Sequence, residues 1–297
     1  MRKRMLFIYN PFAGKGMLSG KLSAILRIFT DADYEVTVFP TRGPRHATKL
    51  VREYVDQMDY IVCAGGDGTL HEVTEGLMSM EPQKRKPCGY IPAGTVNDFA
   101  NSLKIPKDFE EAAKTVVAAN LYACDVGSTN GKCFTYFSGF GAFTDVSYET
   151  NQNAKNALGK LAYFLEGAKR VMDITSYYLN INYGNVEVKG DFIYGMICNT
   201  YSVGGLLKFE EEHVELNDGE FEAVFIRKPA NILEVEKILL ALKTDMMSCE
   251  LITCFRASKI TIRCHREIKW TLDGEYGGTE KEFVIENHRK AIEYAHG

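Results

Sequence analysis

Gly65-Gly66-Asp67-Gly68-Thr69 is the segment whose residue types say most about chemistry. It follows an apolar run and precedes an amphipathic one. Its glycines let the main chain approach a ligand closely, and the amides that open the next helix form an anion site. A carboxylate inside a phosphate site repels its ligand unless a cation lies between them, so Asp67 implies Mg2+. The plainer alternative is a glycine turn with a capping aspartate, and the strand-loop-helix setting favours the phosphate site. Asn10-Pro11-Phe12-Ala13-Gly14-Lys15-Gly16 closes an earlier apolar run without the spacing of a Walker A loop. It is either a backbone cradle with Lys15 near a phosphate or a solvated loop. In Pro92-Ala93-Gly94-Thr95-Val96-Asn97-Asp98-Phe99-Ala100, Thr95 could bond a phosphate and Asp98 could join a metal shell. The same residues could simply cap a helix. His71-Glu72-Val73-Thr74-Glu75 begins like H-E-x-x-H, but Glu75 stands in place of the second histidine, which excludes a zinc protease.

Two later segments gather carboxylates around glycine. Glu215-Leu216-Asn217-Asp218-Gly219-Glu220 reads as a tight turn, a metal site, or both. Leu272-Asp273-Gly274-Glu275-Tyr276-Gly277-Gly278 offers two carboxylates for positioned proton transfer. A two-residue hairpin there would need a strand from Glu275 onward, which Gly277-Gly278 oppose.

The elements that must hold these segments change character near Asp125. Before it, short apolar runs at Leu6–Tyr9, Val36–Phe39, Tyr60–Ala64 and Gly89–Ile91 alternate with stripes at helical spacing, such as Leu22, Ile25, Leu26 and Phe29. A helix is expected to begin near Val96, and Asp108 with Glu111 reads as a capping box. That rhythm predicts a parallel sheet covered by helices, with ligands at the carboxyl ends of the strands. After it, Lys259–Cys264 and Glu267–Leu272 alternate polar and apolar, 191–198 and 221–226 are further strand candidates, and helices are expected near 159–171 and 231–243. The expected fold is an α/β N-terminal three-layer domain, residues 1–126, completed by 287–297. A mostly antiparallel β-sandwich follows over 127–286.

Composition narrows the class. The 297 residues are 45% hydrophobic and 25% charged, ordinary for a globular protein, and the net charge of −4 argues against a nucleic-acid partner. The eight cysteines form no C-x-x-C pair, and several sit in apolar runs, as expected of a reducing compartment. The apolar stretch after Met1-Arg2-Lys3-Arg4 is too short for a signal peptide, and no run reaches the ~18 residues of a membrane span. The expected location is therefore cytoplasmic.

Taken together, these segments resemble the diacylglycerol kinase catalytic-domain family, which includes bacterial lipid kinases and the sphingosine kinases. The likeness covers nearly the whole chain in motif order. Asn10-Pro11 with Gly14-Lys15 comes first, then Gly65–Thr69, and Gly94-Thr95 with Asn97-Asp98-Phe99. Phe137-Ser138-Gly139-Phe140-Gly141 follows, then Val203-Gly204-Gly205, Asn217-Asp218-Gly219 and Asp273-Gly274-Glu275. The resemblance implies ATP in a cleft between the domains. Asn10, Pro11, Phe12, Ala13, Gly14, Lys15, Thr41, Gly66, Asp67, Gly68, Thr69, Leu70, His71, Glu72, Thr95, Asn97 and Asp98 would form the nucleotide site. It also implies Glu275 as proton acceptor, with Asp273 and Asp67 as further catalytic groups. Mg2+ would neutralise the triphosphate beside Asp67, Asp98 and Asp125, and a structural Mg2+ would sit at Asp218, with Glu215 and Glu220 contributing backbone carbonyls. The family often carries Asn where this chain has His71.

The implied reaction is ATP-dependent phosphorylation of a lipid hydroxyl, diacylglycerol giving phosphatidic acid. The implied partner is a membrane-derived lipid met peripherally at the inner membrane face, and a homodimer is compatible with it. The rival readings are an NAD kinase-like phosphotransferase and a nucleotide-binding regulatory module without turnover. Thr95-Val96-Asn97-Asp98-Phe99 and the late Asp-Gly-Glu favour the lipid kinase over the first, and the joint presence of Asp67, Asp273 and Glu275 argues against the second.

Overall fold

The computed structural model describes residues 2–141, 174–200, 202–203, 207–208 and 215–297. Its first half alternates strand and helix: β1 (Lys3–Tyr9), α1 (Met17–Asp31), β2 (Tyr34–Pro40), α2 (His46–Tyr54), β3 (Tyr60–Gly65), α3 (Asp67–Met78) and β4 (Cys88–Pro92). The short α4 (Asp98–Ser102) and then α5 (Phe109–Ala118) follow. β1 pairs in parallel with β2 and β3, and β3 with β4, giving the order β2-β1-β3-β4. Every residue of β3 and β4 is buried, so their sequences are continuous apolar runs rather than alternations. The helices bury one stripe each, as α1 does with Leu18, Ile25 and Phe29. α2 meets α3 at Gly76, where a Cβ would lie 2.6 Å from the Val51 Cβ. In-register pairing aligns the carboxyl ends, Tyr9 with Pro40 and Gly65 with Pro92, so three of the loops singled out in the sequence leave the same edge.

The second half begins with β5 (Leu121–Thr129), β6 (Lys132–Phe134), β7 (Phe137–Gly141), β8 (Tyr177–Tyr183) and β9 (Val186–Cys198). It continues through β10 (Ser202–Val203), β11 (Leu207–Lys208), β12 (Phe221–Arg227), α6 (Ile232–Lys243), β13 (Ile252–Ala257), β14 (Lys259–Leu272) and β15 (Glu275–Ala295). Two long strands organise it: β9 and β14 each pair with β8 and with β7. The resulting circuit encloses a second core around Phe134, Phe140, Phe192, Phe225, Trp270 and Phe283. Trp270 stacks on Phe283 with ring centroids 4.0 Å apart.

β15 ties the halves together. Its first part pairs antiparallel with β14, its second with β5, and Tyr294 pairs in parallel with Cys88 of β4. Among the described residues, 13 strands thereby form one connected sheet.

Some local expectations need correction. The helix expected from Val96 is only the five residues of α4. The Asp273-Gly274 segment is a two-residue hairpin turn, with φ of 49° and 87°, and the strand runs on through Gly277 and Gly278. The glycines are accommodated rather than disruptive: a Cβ on Gly277 would lie 2.8 Å from Leu272 Cγ, and Gly278 has φ 134° beside a register shift. The helix expected near 159–171, Gly204 and Gly205 lie outside the described residues.

Candidate active site

The carboxyl edge of the parallel strands and the β14–β15 turn face one another across a cleft of about 750 Å3. Asn10, Phe12, Thr41, Gly66, Gly68, Thr69, His71 and Glu72 line it from the first half. Lys132, Cys133, Leu272, Glu275 and Tyr276 line it from the second. Close backbone contact builds the floor. A Cβ on Gly94 would lie 2.7 Å from Gly66 Cα, and one on Gly65 would lie 2.3 Å from Thr69 Oγ1. Only glycine permits this packing, and it brings the β3 and β4 loops together. The side chain of Asn97 (φ 55°) locks the β4 loop, accepting from Gly94 N at 2.9 Å and donating to Gly94 O at 2.9 Å.

Asp67 sits where α3 opens. Its Oδ2 accepts from Asn97 N at 3.0 Å, and its buried Oδ1 has no hydrogen-bond partner. Burial, with the nearby charges of Asp98 and Asp273, pushes the carboxyl up to about 7 against the opposing Asn97 amide. An ionised Asp67 therefore calls for a cation, and Mg2+ fits the unpartnered oxygen. Mg2+ is commonly held by one or two carboxylates together with substrate phosphates. Among the described residues no three His, Cys, Asp or Glu side chains converge on a metal position.

The two carboxylates of the hairpin turn have separate surroundings. Asp273 is saturated: it accepts from Thr135 N at 2.6 Å, from Tyr136 N and Phe137 N at 3.0 Å each, and pairs with His71 Nδ1 at 2.7 Å. Both of its oxygens are thus already engaged within the protein. Glu275 is exposed in the cleft, and a Cβ on Gly68 would lie 3.6 Å from its Oε1. His71 keeps 17% of its side-chain exposure. Burial alone would lower its pKa, but the hydrogen bond and charge of Asp273, with Glu75 and Glu275, outweigh burial and raise it.

Other residues read as nucleotide contacts have structural work. Leu70 is fully buried in the core. Glu72 accepts from Arg45 N at 2.7 Å and Ala47 N at 2.9 Å, capping α2 from a neighbouring helix. Ala13 packs on the core and Gly14 takes φ 60° in a 3-10 turn over Ala13–Gly16, which also holds the Lys15 backbone. Pro11 accepts from Ser19 Oγ at 3.4 Å, Thr95 is exposed, and Asp98 is buried beside Asp67.

The remaining acidic residues form a separate cluster. Asp125 accepts from Gly219 N at 2.7 Å, Asn287 Nδ2 at 3.1 Å and Lys290 N at 2.7 Å, so it anchors the 217–220 turn and does not join Asp67. Arg256 pairs with Asp218, lies 3.8 Å from Glu220 and 3.3 Å from Glu222, while Glu215 is exposed. A guanidinium thus engages the Asp218 carboxylate, the side chain through which a structural Mg2+ would be held. Glu222 is nearly buried, neither of its oxygens has a hydrogen-bond partner, and burial, with the charge of Glu220, pushes the carboxyl up to about 8.

Arg42, Gly43, Pro44 and Arg45 also line the cleft, and nothing in the sequence reading singled them out. The signal was present as two arginines beside a Gly-Pro pair just after Thr41.

A family model for the diacylglycerol kinase catalytic domain matches residues 4–129. A diacylglycerol kinase of Bacillus subtilis is 33% identical over 279 residues, 93% of this chain and 91% of the relative. One from Staphylococcus carnosus is 31% identical over 280 residues, 94% of this chain and 90% of the relative. A Bacillus anthracis crystal structure assigned to the diacylglycerol kinases superposes with a TM-score of 0.84 at 26% identity, covering 99% of this chain and 97% of that one.

Proposed function

The chain belongs to the diacylglycerol kinase catalytic-domain family and is a lipid kinase; from that premise we propose that it transfers the γ-phosphoryl group of ATP to the hydroxyl of diacylglycerol, giving phosphatidic acid. The observation that carries this reading is the opposition of Glu275 to the glycine loop. A solvent-accessible carboxylate faces the helix opening that would cradle the phosphates, with the unpartnered Asp67 oxygen beside it.

The residues divide the work. The amide of Gly68 at the opening of α3 orients phosphate oxygens. Asp67, with Asp98 buried next to it, would hold Mg2+. When bound, that ion neutralises charge across the phosphates. Glu275 takes the proton of the acceptor hydroxyl, while Asp273 keeps the hairpin that carries Glu275 docked on 135–137. Phosphoryl transfer runs through a loose transition state, so positioning and charge neutralisation supply most of the catalysis. No helix among the described residues is long and apolar enough to cross a membrane; on this reading the lipid is met from the membrane surface.

The test is incubation of the purified chain with labelled Mg-ATP and dispersed diacylglycerol, a total lipid extract, or NAD. Labelled phosphatidic acid is the expected product. Label in NAD alone, or ATP binding without labelled lipid, would overturn the proposal.

A further inference from the structure

His71 stands on the first turns of α3, in the wall of the cleft, between the glycine loop and the hairpin. Its orientation is fixed twice over. Nδ1 pairs with Asp273 at 2.7 Å, and Asp273 is itself pinned by the amides of Thr135, Tyr136 and Phe137. Because an ionised carboxylate only accepts, Nδ1 carries hydrogen. That leaves Nε2, which has no partner among the described residues, as the ring nitrogen available to a ligand in the cleft. We infer that His71, oriented by Asp273, presents a protonated Nε2 to the phosphoryl group in transfer and stabilises its charge, so that turnover requires the imidazolium. This rests on the proposed ATP-dependent phosphorylation of a lipid.

The charged groups around the ring favour that state. Asp273 faces it from the hairpin turn, Glu275 from β15 and Glu75 from its own helix, and all three raise its affinity for a proton. From β6, Cys133 is a buried thiol pushed far up by burial, hence neutral, and the Lys132 ammonium donates to Gly277 O at 2.8 Å. Arg42 and Arg45 line the same cleft from the loop before α2. The ring is thus set among carboxylates, where it is held above the ordinary histidine value despite its burial. A polyphosphate entering the cleft adds negative charge and raises it further.

The step balances without consuming this proton. The acceptor oxygen bonds to the γ-phosphorus, and the bond from that phosphorus to the β–γ bridging oxygen breaks. ADP leaves with the bond electrons, and Glu275 takes the hydroxyl proton. His71 keeps both hydrogens throughout and acts as a charged donor to a phosphoryl oxygen. A donor aimed at developing charge typically contributes ~10²–10³-fold in kcat. A strut that merely joined α3 to the hairpin would give no such term.

Side-chain nitrogen NMR of the wild-type chain, with His71→Asn to assign the signal, reads the ring directly. The expected His71 midpoint lies above the ~6.5 of an unperturbed histidine. It rises further with Mg2+ and a non-hydrolysable ATP analogue, and falls in Asp273→Asn. In parallel, wild-type kcat on diacylglycerol should decline as pH rises through the nucleotide-bound midpoint. His71→Asn keeps a neutral donor, so it should be slower near pH 6 and lack that decline, while His71→Ala should lose about 10²-fold. The same alkaline limb in His71→Asn, or a ring unmoved by the nucleotide, overturns the inference. If the ring responds to nucleotide but the wild type phosphorylates no lipid, the lipid-kinase proposal fails separately, and His71 remains a phosphate contact.

Discussion

Asp273 accepts from three successive amides and pairs with His71, and that saturation separates it from Glu275 two residues later. Replacing it with Asn exchanges an accepting oxygen for a donating amide, leaving at least one buried partner unmatched at ~1–3 kcal/mol each. Asp273→Asn should therefore lower the unfolding midpoint, read by thermal or urea denaturation. Glu275 is exposed and its side chain makes no hydrogen bond or ion pair among the described residues, so Glu275→Gln should leave stability and ATP affinity nearly unchanged while kcat falls ~10²–10⁴-fold. Full turnover in Glu275→Gln would remove it as the base. The sequence could offer both carboxylates in a glycine-rich turn, but it could not assign them. The deciding amides come from residues 135–137, far away along the chain. The place of Asp67 at a helix opening was legible because its glycine neighbours sit beside it. Asp125 was not, because its partners come from Gly219, Asn287 and Lys290.

The elements matter through how closely they approach. The loops after β3 and β4 touch glycine to glycine, which is why each is short and carries a conformationally free residue at its tip. Gly94→Ala would place a methyl group 2.7 Å from Gly66 Cα, where only backbone can yield. The loops should part, giving a raised KM for ATP and a lowered midpoint together. An unchanged KM would mean that the contact does not shape the nucleotide site. At this scale the apolar runs and helical stripes of the first half were readable from local pattern alone, and each corresponds to an observed strand or helix. The β14–β15 hairpin misled because a Gly-Gly pair usually weakens a strand. Here Leu272 fills the space over Gly277, a compensation invisible without the neighbouring strand. The shared role of Glu72, capping another helix rather than its own, was hidden for the same reason.

At the scale of the molecule, the two halves are one sheet because β15 leaves β14, follows β5 and reaches β4. Tyr294 seals that junction. It is fully buried, sits edge-on to Phe99 with ring centroids 5.0 Å apart, and shares a 2.8 Å hydrogen bond with Thr74. Tyr294→Ala should cost ~3–5 kcal/mol in urea unfolding, as large aromatic truncations do. Tyr294→Phe keeps the ring and should cost only ~1 kcal/mol. Glu222 acts on the whole fold through pH. Its carboxyl is pushed up to about 8, so the folded chain holds a proton that the unfolded chain releases near the ordinary glutamate value of 4.5. Stability from this group is therefore full below that value and is lost as pH rises toward about 8. Glu222→Gln should leave the midpoint nearly unchanged at pH 4 and raise it progressively up to pH 8 in thermal scans. A constant offset across that range would count against a buried, protonated Glu222.

β15 also has a place in time. It follows every other described element in chain order, so a ribosome releases it after them. Until it emerges, the parallel sheet has an open apolar edge at β4, and open edges of that kind recruit other chains. The strand that closes this edge also begins with Glu275. A nascent chain therefore gains Glu275, the carboxylate proposed as proton acceptor, and its sealed sheet in the same late step. Incomplete chains have neither, and their open edges favour association with one another.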